Sequence, residues 1–279
     1  MTPENCLSHS QTSFLNRAGI IGDCPSCGYK DAFTVNERDG KKLFHCFAGC
    51  SQADLLAALR GRVEPFRTFP PPTQKDTTRI RDYALKLWQE RQSGREGLVP
   101  AYLASRGLVG AVPSSMGFLP DHLHKPSGTR WPCMIAAVTD CTGRIQAVHR
   151  TYLNRSGTGK APVTPTKMTL APVGGFSCHF APAEEELVIS EGIETGLSVQ
   201  FATGRPTWAA LSAGGMRQLI LPPLPLAAIV TIAADNDPVG MDAAHDAALR
   251  WTQEGRRVRI AAPPDGMDFN DIILQGAAA

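Results

Sequence analysis

The sequence lacks the patterns that place a chain in or across a membrane. Its longest apolar run, Leu219–Ala234, is interrupted by Pro222, Pro223 and Pro225, so it is too short and too broken to span a bilayer. The N-terminus has no charged segment followed by an apolar one, which is the pattern of a secretory signal. We therefore expect a cytoplasmic protein with no membrane partner.

Two common nucleotide-binding patterns are also missing. The stretch SGTGKA at 156–161 contains a Gly-Lys pair, but a phosphate-binding loop needs Gly where Asn154 stands and Ser or Thr where Ala161 stands. No strand is followed by the Gly-rich fingerprint of a dinucleotide site. The sequence thus predicts neither an ATP-driven motor nor a nicotinamide or flavin enzyme.

Charge is distributed unevenly although the net charge is only +2. Residues 76–175 carry 13 Lys and Arg against 6 Asp and Glu, whereas residues 176–279 carry 6 against 13. This asymmetry favours a polyanion held beside an acidic metal site. The alternative is two oppositely charged surfaces that dock on each other.

Four of the eight cysteines form two close pairs, Cys24/Cys27 and Cys46/Cys50, with 18 residues between the pairs. The segment between them contains a hairpin signal, Asp39-Gly40, flanked by strand-like residues. Two cysteine pairs joined by a hairpin supply the four soft ligands of a structural zinc ion. We therefore predict a zinc ribbon, with His45 as an alternative ligand to Cys46; four buried free thiols are the competing interpretation.

The middle of the chain is basic. Residues 79–93 have helical periodicity, residues 100–106 form a shorter helix, and residues 131–153 alternate as a hairpin. Basic side chains on this hairpin and the loop after it are candidates to hold phosphates, or else form a solvated face: Arg144, His149, Arg150, Lys160 and Lys167.

From residue 184 short strand-like runs, the first at Leu187–Ser190 and the last at Arg257–Ala261, alternate with helical patterns, which predicts a mainly parallel four-stranded sheet. Ligands bind at the carboxyl ends of such strands. Acids stand at three of these ends: Glu191, the pair Asp235 and Asp237, and Asp268. Carboxylates that converge there can hold magnesium with water and phosphate oxygens.

The runs LVISEGIETGLS, AADNDPVGMDAA and GMDFND resemble the Toprim domain of primases, topoisomerases and some nucleases. The runs LFHCFAGCSQADLL and AVHRTYLNRSGTGKAP resemble phage- and plasmid-borne Toprim primases, so the resemblance covers nearly the whole chain. One position departs from the pattern of many replicative primases. Where they have an acid four residues after the motif Glu, this chain has Thr195, with Glu194 just before it.

The resemblance implies a DNA primase that uses Mg²⁺ or Mn²⁺ to make RNA primers on single-stranded DNA from ribonucleoside triphosphates. Asp235, Asp237 and Asp268 would hold the metal, with Asp271 a weaker candidate for the last, and Glu191 would bind metal or act as general base. Lys41 and Lys42 of the ribbon would contact the template. Since the sequence shows no motor, we expect a separate replicative helicase as partner.

Two other functions stay open at this point. A Toprim-type nuclease uses the same acids, and a zinc-ribbon DNA-binding accessory protein would use none. A topoisomerase needs a further tyrosine domain, for which the chain has no room.

The predicted fold class is α/β with three domains. Residues 1–60 form the zinc ribbon with short flanking helices, one around Phe14–Ile21 and one at Ala53–Leu59 with Ser51 as its cap. Residues 61–78 form a Pro-rich linker, 79–183 a mixed α+β basic domain and 184–279 the Toprim domain.

Overall fold

The computed structural model describes residues 19–28, 33–38, 41–46, 50–59, 74–264, 267 and 269–276. The chain divides into two compact units, Met1–Arg79 and Ile80–Ala279. Within the described ranges, no helix combines the length and the apolar character needed to cross a bilayer.

In the residues that the structure describes before Gln74, the first unit contains a three-stranded antiparallel sheet followed by a helix. Its elements are β1 (Gly19–Gly22), β2 (Phe33–Arg38), β3 (Lys41–Cys46) and α1 (Gln52–Leu59), with strand order β1-β2-β3. Alternation along β2 turns Phe33 and Val35 inward, where they pack against Leu55 of α1. The predicted hairpin is therefore confirmed as β2–β3. The predicted helix around Phe14–Ile21 is wrong where the structure describes it, because residues 19–21 belong to β1 and pair with β2. Ser51, predicted to cap the helix, accepts a hydrogen bond from the Asp54 amide at 3.2 Å.

The first part of the second unit is built around a five-stranded antiparallel sheet, in the order β4-β5-β6-β7-β8. Its elements are α2 (Gln74–Glu90), β4 (Gln92–Ser93), α3 (Leu98–Ser105), β5 (Met116–His124), β6 (Thr129–Thr139), β7 (Ile145–Tyr152) and β8 (Lys167–Leu170). The boundary between the two units falls within α2, after Arg79. The predicted hairpin at 131–153 corresponds to β6 and β7. Helix α2 begins at Gln74, five residues before the predicted start, so the last residues of the predicted linker are helical.

Strands β5 and β8 were not predicted from the sequence. Pro120 interrupts β5, and the pairing of β5 with β6 shifts register between Leu119 and His122. A proline and a bulge break the alternation that identifies a strand. Strand β8 is only four residues long, which is too short for a periodic signal.

The second part of this unit is an α/β layer whose sheet has the order β13-β12-β10-β11-β9. Its elements are β9 (Cys178–His179), β10 (Glu186–Ser190), α4 (Ile193–Thr203), β11 (Thr207–Ala209), α5 (Ala213–Gln218), β12 (Ile229–Ala233), α6 (Pro238–Gln253), β13 (Arg257–Ala261) and α7 (Phe269–Gly276). Four strands are parallel, as predicted, and β9 adds a short antiparallel edge.

The two sheets of the second unit share one apolar core. Tyr102 and Leu103 of α3 and Met134 of β6 pack in one cluster with Ile193 and Leu197 of α4. Helix α2 covers the opposite face of the antiparallel sheet through Ala84, Leu87 and Trp88. The shared core holds the basic strands beside the loop that follows β10, because α4 begins there.

Candidate functional site

The four predicted zinc ligands lie together in the first unit. The Sγ atoms of Cys24, Cys27, Cys46 and Cys50 all lie within 4.8 Å of one another. Cys24 and Cys50 are 3.8 Å apart, and Cys27 and Cys46 are 3.9 Å apart. A tetrahedral zinc with bonds of about 2.3 Å separates its sulfur ligands by about 3.8 Å. The cluster therefore fits a metal ion of this kind.

Strand alternation decides between Cys46 and its neighbour as the ligand. Cys46 is buried at the end of β3, whereas the side chain of His45 is exposed. Since successive residues of a strand face opposite sides, only Cys46 points toward the other three sulfurs. The predicted cysteine set needs no histidine.

The second candidate centre is a carboxylate rim, which we define as Glu191, Asp235 and Asp237. Strands β10 and β12 are parallel neighbours, with Ser190 paired to Ala233. Glu191 follows β10 directly, and Asp235 and Asp237 follow β12. Burial raises the pKa of Glu191, and the negative charges of Asp235 and Asp237 raise it further. The charges of Asp235 and Asp237 thus reach the carboxyl group of Glu191.

The loop after β12 is shaped by contacts within the chain. The carboxylate of Asp237 accepts a hydrogen bond from the Gly240 amide at 2.8 Å and caps α6, which begins with Pro238. Asn236 donates to the carbonyl of Pro263 at 3.0 Å. A Cβ on Gly240 would lie 2.7 Å from the Asp235 carbonyl oxygen, so glycine is needed for the turn that presents both acids.

The chemistry of the rim fits a hard divalent cation. Burial and the charges of Asp235 and Asp237 disfavour the ionised form of Glu191 and raise its pKa, and a bound cation would offset both effects. The rim is more open than the cysteine cluster, since in the described ranges only the cysteines bring three or more donor atoms within 4.8 Å. Magnesium usually keeps several waters and takes few protein ligands. Asp268 lies outside the described residues, and Asp271 is half-buried in α7.

Residues 194 and 195 point to different partners. The Thr195 hydroxyl lies 3.5 Å from a carboxylate oxygen of Asp235, so position 195 faces the rim. Glu194 instead contacts Lys167 at 2.9 Å and Lys160 at 3.3 Å, and accepts a short hydrogen bond from the Tyr102 hydroxyl. Neighbouring residues of a helix point about 100° apart. The position that carries an acid in many replicative primases is thus occupied here by a threonine at the rim.

Glu194 is ionised in this environment. Burial alone raises its pKa, but Lys167, the Tyr102 hydroxyl and Lys160 outweigh burial and lower the pKa to about 2. We call Glu194, Lys160, Lys167 and Tyr102 the lysine cluster. Its Lys167 and Glu194 line a small cavity of about 30 Å³ together with Gly192, the residue after Glu191. The lysine cluster therefore lies next to the carboxylate rim.

The other predicted basic residues are placed differently. Arg144 is exposed in the turn between β6 and β7. His149 is buried in the wall of the small cavity, and its pKa is lowered to about 3 by burial and by the charges of Lys167 and Arg150. Arg150 is only 5% exposed and faces the opposite side of β7, near His122, so it offers little surface to a polymer. The side chains of Lys41 and Lys42 lie outside the described residues.

Two residues that act on the site, Tyr102 and Arg217, were not predicted from the sequence. Tyr102 contacts Glu194 from α3, 92 positions earlier in the chain, and the charge of Arg217 lowers the pKa of Glu191. No local pattern marks either residue. Each meets the site only because the helices that carry them pack beside it.

Comparison with known families divides the second unit in two. Residues 186–279 match the family model described as Toprim domain, and this part of the chain is a Toprim domain. Residues 78–180 match a domain of unknown function (DUF7146). The mainly parallel sheet and its carboxylate rim belong to the first of these, and the antiparallel sheet with Lys160 and Lys167 to the second.

Several solved primase structures are similar to the chain. A DNA primase domain from Pseudomonas aeruginosa is 17% identical, with 70% of this chain and 74% of that chain covered and a TM-score of 0.46. The Aquifex aeolicus primase, with zinc-binding and RNA polymerase domains, is 15% identical over 95% and 77%, with a TM-score of 0.44. The primase fragment of the bacteriophage T7 primase-helicase protein is 13% identical over 92% and 95%, with a TM-score of 0.40.

Proposed function

We propose that this protein is a DNA primase that makes RNA primers on single-stranded DNA in a Mg²⁺- or Mn²⁺-dependent reaction. The observation that carries the proposal is the lysine cluster beside the carboxylate rim. Metal-binding acids next to fixed ammonium groups suit a reaction in which a triphosphate is oriented and its charge is offset. The cytoplasm would be the site of this reaction, during replication of a chromosome, plasmid or phage.

Each group has a role in this proposal. Asp235 and Asp237, with Asp268, hold the divalent cation, which when bound offsets the negative charge of the phosphates and polarises the reacting one. Lys160 and Lys167 hold the triphosphate of the incoming nucleotide. Glu191 binds metal or accepts the proton of the attacking 3′-hydroxyl, and its raised pKa suits it to accept a proton. The 3′-oxygen then bonds to the α-phosphorus, and pyrophosphate leaves.

The cysteine cluster would hold a structural Zn²⁺ and present the first unit to the template. Four sulfur donors at this spacing suit zinc better than magnesium, which prefers oxygen. Ribonucleoside triphosphates and single-stranded DNA are the substrates. A separate replicative helicase would be the partner that supplies unwound template.

A direct test compares Asp235→Asn with Asp242→Asn, which removes the same charge from an exposed position on α6. Each protein is incubated with single-stranded DNA, ribonucleotides and Mg²⁺, and the products are separated on a gel. We expect new oligoribonucleotides from the wild type and Asp242→Asn, and none from Asp235→Asn. Shortened DNA without new RNA would instead identify a nuclease, and no metal-dependent product on any template would favour a binding protein.

A further inference from the structure

A groove lies where the end of α2 meets β4 and the start of β5. Its volume is about 330 Å³, and it is lined by Arg91, Gln92, Ser93, Arg95, Ser114 and Met116. Among these lining residues two are cationic and none is acidic. The groove shares no lining residue with the small cavity of the lysine cluster.

Arg91 is held in place at this groove. Its guanidinium stacks over the Trp88 ring, 3.6 Å from the ring centre, and donates a hydrogen bond to the Trp88 carbonyl at 2.6 Å. Burial lowers the pKa of Arg91, although an arginine stays charged in proteins. A partly desolvated, oriented cation in a groove without acidic lining is the arrangement that attracts an anion.

The space for this arginine depends on a glycine. A Cβ on Gly117 of β5 would lie 2.5 Å from Cδ and 2.9 Å from Cγ of Arg91. Beside it, a Cβ on Gly94 would lie 3.1 Å from Gly117 Cα, so the backbones of β4 and β5 approach closely. Arg91 can therefore lie along the strand only because position 117 has no side chain.

A second cation comes from the turn after β4. Arg95 is exposed, and its amide donates to the Ser93 hydroxyl at 3.2 Å, which shapes the turn. Two guanidinium groups with the hydroxyls of Ser93 and Ser114 supply the donors that phosphate oxygens accept. The volume lies at the lower end of the range of small-molecule sites, roughly 300 to 1,000 Å³.

We propose that this groove binds a phosphate group carried by a nucleotide or by a single-stranded nucleic acid, at a site separate from the carboxylate rim. The binding requires neither the divalent cation nor catalysis. It therefore goes beyond the proposed function and can be tested in a protein that makes no primers.

The test measures binding in buffer without Mg²⁺ or Mn²⁺, which removes the metal-dependent part of nucleotide binding at the rim and leaves a zinc held by the four cysteines in place. The probes are a fluorescein-labelled 16-mer of deoxythymidine, followed by anisotropy, and ATP, followed by calorimetry. The variants are Arg91→Gln and Arg95→Gln. Lys125→Gln is the matched control, since it removes one charge from an exposed turn at the other end of β5. We expect Arg91→Gln to weaken binding of one probe by about five- to tenfold, and Lys125→Gln by less than about twofold.

The two probes distinguish the source of the phosphate. Weaker binding of the oligonucleotide alone assigns the groove to a nucleic-acid backbone, and weaker binding of ATP assigns it to a nucleotide. Gly117→Ala keeps every charge but displaces Arg91, so it should reproduce the loss. If Arg91→Gln fails to fold, Arg95→Gln still tests the proposal, because Arg95 is exposed.

The proposal is overturned if the folded variants of Arg91, Arg95 and Gly117 bind both probes as the Lys125→Gln control does. This binding assay contains no Mg²⁺ or Mn²⁺, so no primers are made in it. Failure of the groove and failure of primer synthesis are therefore measured separately.

Discussion

Lys167 Nζ lies 2.9 Å from Glu194 Oε2, across the boundary between the antiparallel sheet and the Toprim domain. The same carboxylate lies 3.3 Å from Lys160. One acid of the Toprim domain thus orients two ammonium groups of the basic domain. Because Glu194 stands three residues after Glu191, this pairing couples the position of the lysines to that of the rim.

Glu194→Gln should impair nucleotide use without changing the metal requirement. The amide keeps the shape of the side chain but loses the charge that holds Lys160 and Lys167. We expect KM for ribonucleotides to rise by about five- to tenfold, which corresponds to one charged contact. The Mg²⁺ concentration for half-maximal primer synthesis should stay unchanged, as measured by titration.

The control for this prediction is Glu185→Gln, which removes a charge from an exposed position before β10. It should leave both parameters near the wild-type values. A raised Mg²⁺ requirement in Glu194→Gln would mean that Glu194 acts as a metal ligand after all.

We also predict that Glu194 makes the stability of the protein depend on pH. The pKa of Glu194 is about 2 in the folded chain, below the ordinary value of 4.5. As pH falls from about 4.5 toward 2, the unfolded chain takes up the proton first, so the stabilisation present above this window is lost within it. Its full size is at most about 3 kcal/mol. Urea unfolding should show a wild-type advantage over Glu194→Gln that shrinks below pH 4.5; an advantage that grows with acid would contradict the prediction.

Asp237 has two roles, as an acid of the rim and as the cap of α6, and different substitutions separate them. Asp237→Asn removes the charge from the rim but keeps an oxygen that can cap α6. We expect primer synthesis to be lost while the free energy of unfolding changes by less than about 0.5 kcal/mol. Asp237→Ala should lose synthesis and also about 1 kcal/mol of stability, because the Gly240 amide then loses the carboxylate that accepts its hydrogen bond. Full activity in Asp237→Asn would exclude Asp237 from the metal site.

The cysteine cluster predicts one bound zinc per chain. Elemental analysis of purified wild-type protein should find about one zinc, and Cys46→Ser should lose most of it, because three sulfurs leave the tetrahedron incomplete. Cys141→Ser is the control, since Cys141 lies outside the cluster. Equal zinc in the two variants would show that the metal is held elsewhere.

Local sequence patterns were sufficient to predict the four parallel strands of the Toprim sheet. The predicted strand Leu187–Ser190 is β10 without its first residue, and the predicted strand at Arg257–Ala261 matches β13. Buried parallel strands are continuous apolar runs, and the acids that follow them are recognisable at the run ends. Two predicted features were recognisable because each depends on neighbours in the chain: the cysteine pairs and the cap at Ser51.

The antiparallel sheet was predicted less completely. Pro120 breaks the alternation that would have identified β5. The first turn of α2 was missed because its residues lack the apolar periodicity of the rest of the helix. The contacts of Arg150 were not predictable either, since whether a basic residue on a strand faces solvent or another layer depends on what packs there.

By itself, the sequence determined the order of the four parallel strands and the helices between them, the two cysteine pairs and the acids of the rim, because each depends on residues close together in the chain. Only the tertiary structure decided that Glu194 faces Lys160, Lys167 and Tyr102 while Thr195 faces Asp235. These partners come from separate elements, and the packing of α3 and β8 against α4 brings them together. The geometry of α4 sets the angle between Glu194 and Thr195, but the packing around α4 decides which partner each of them contacts.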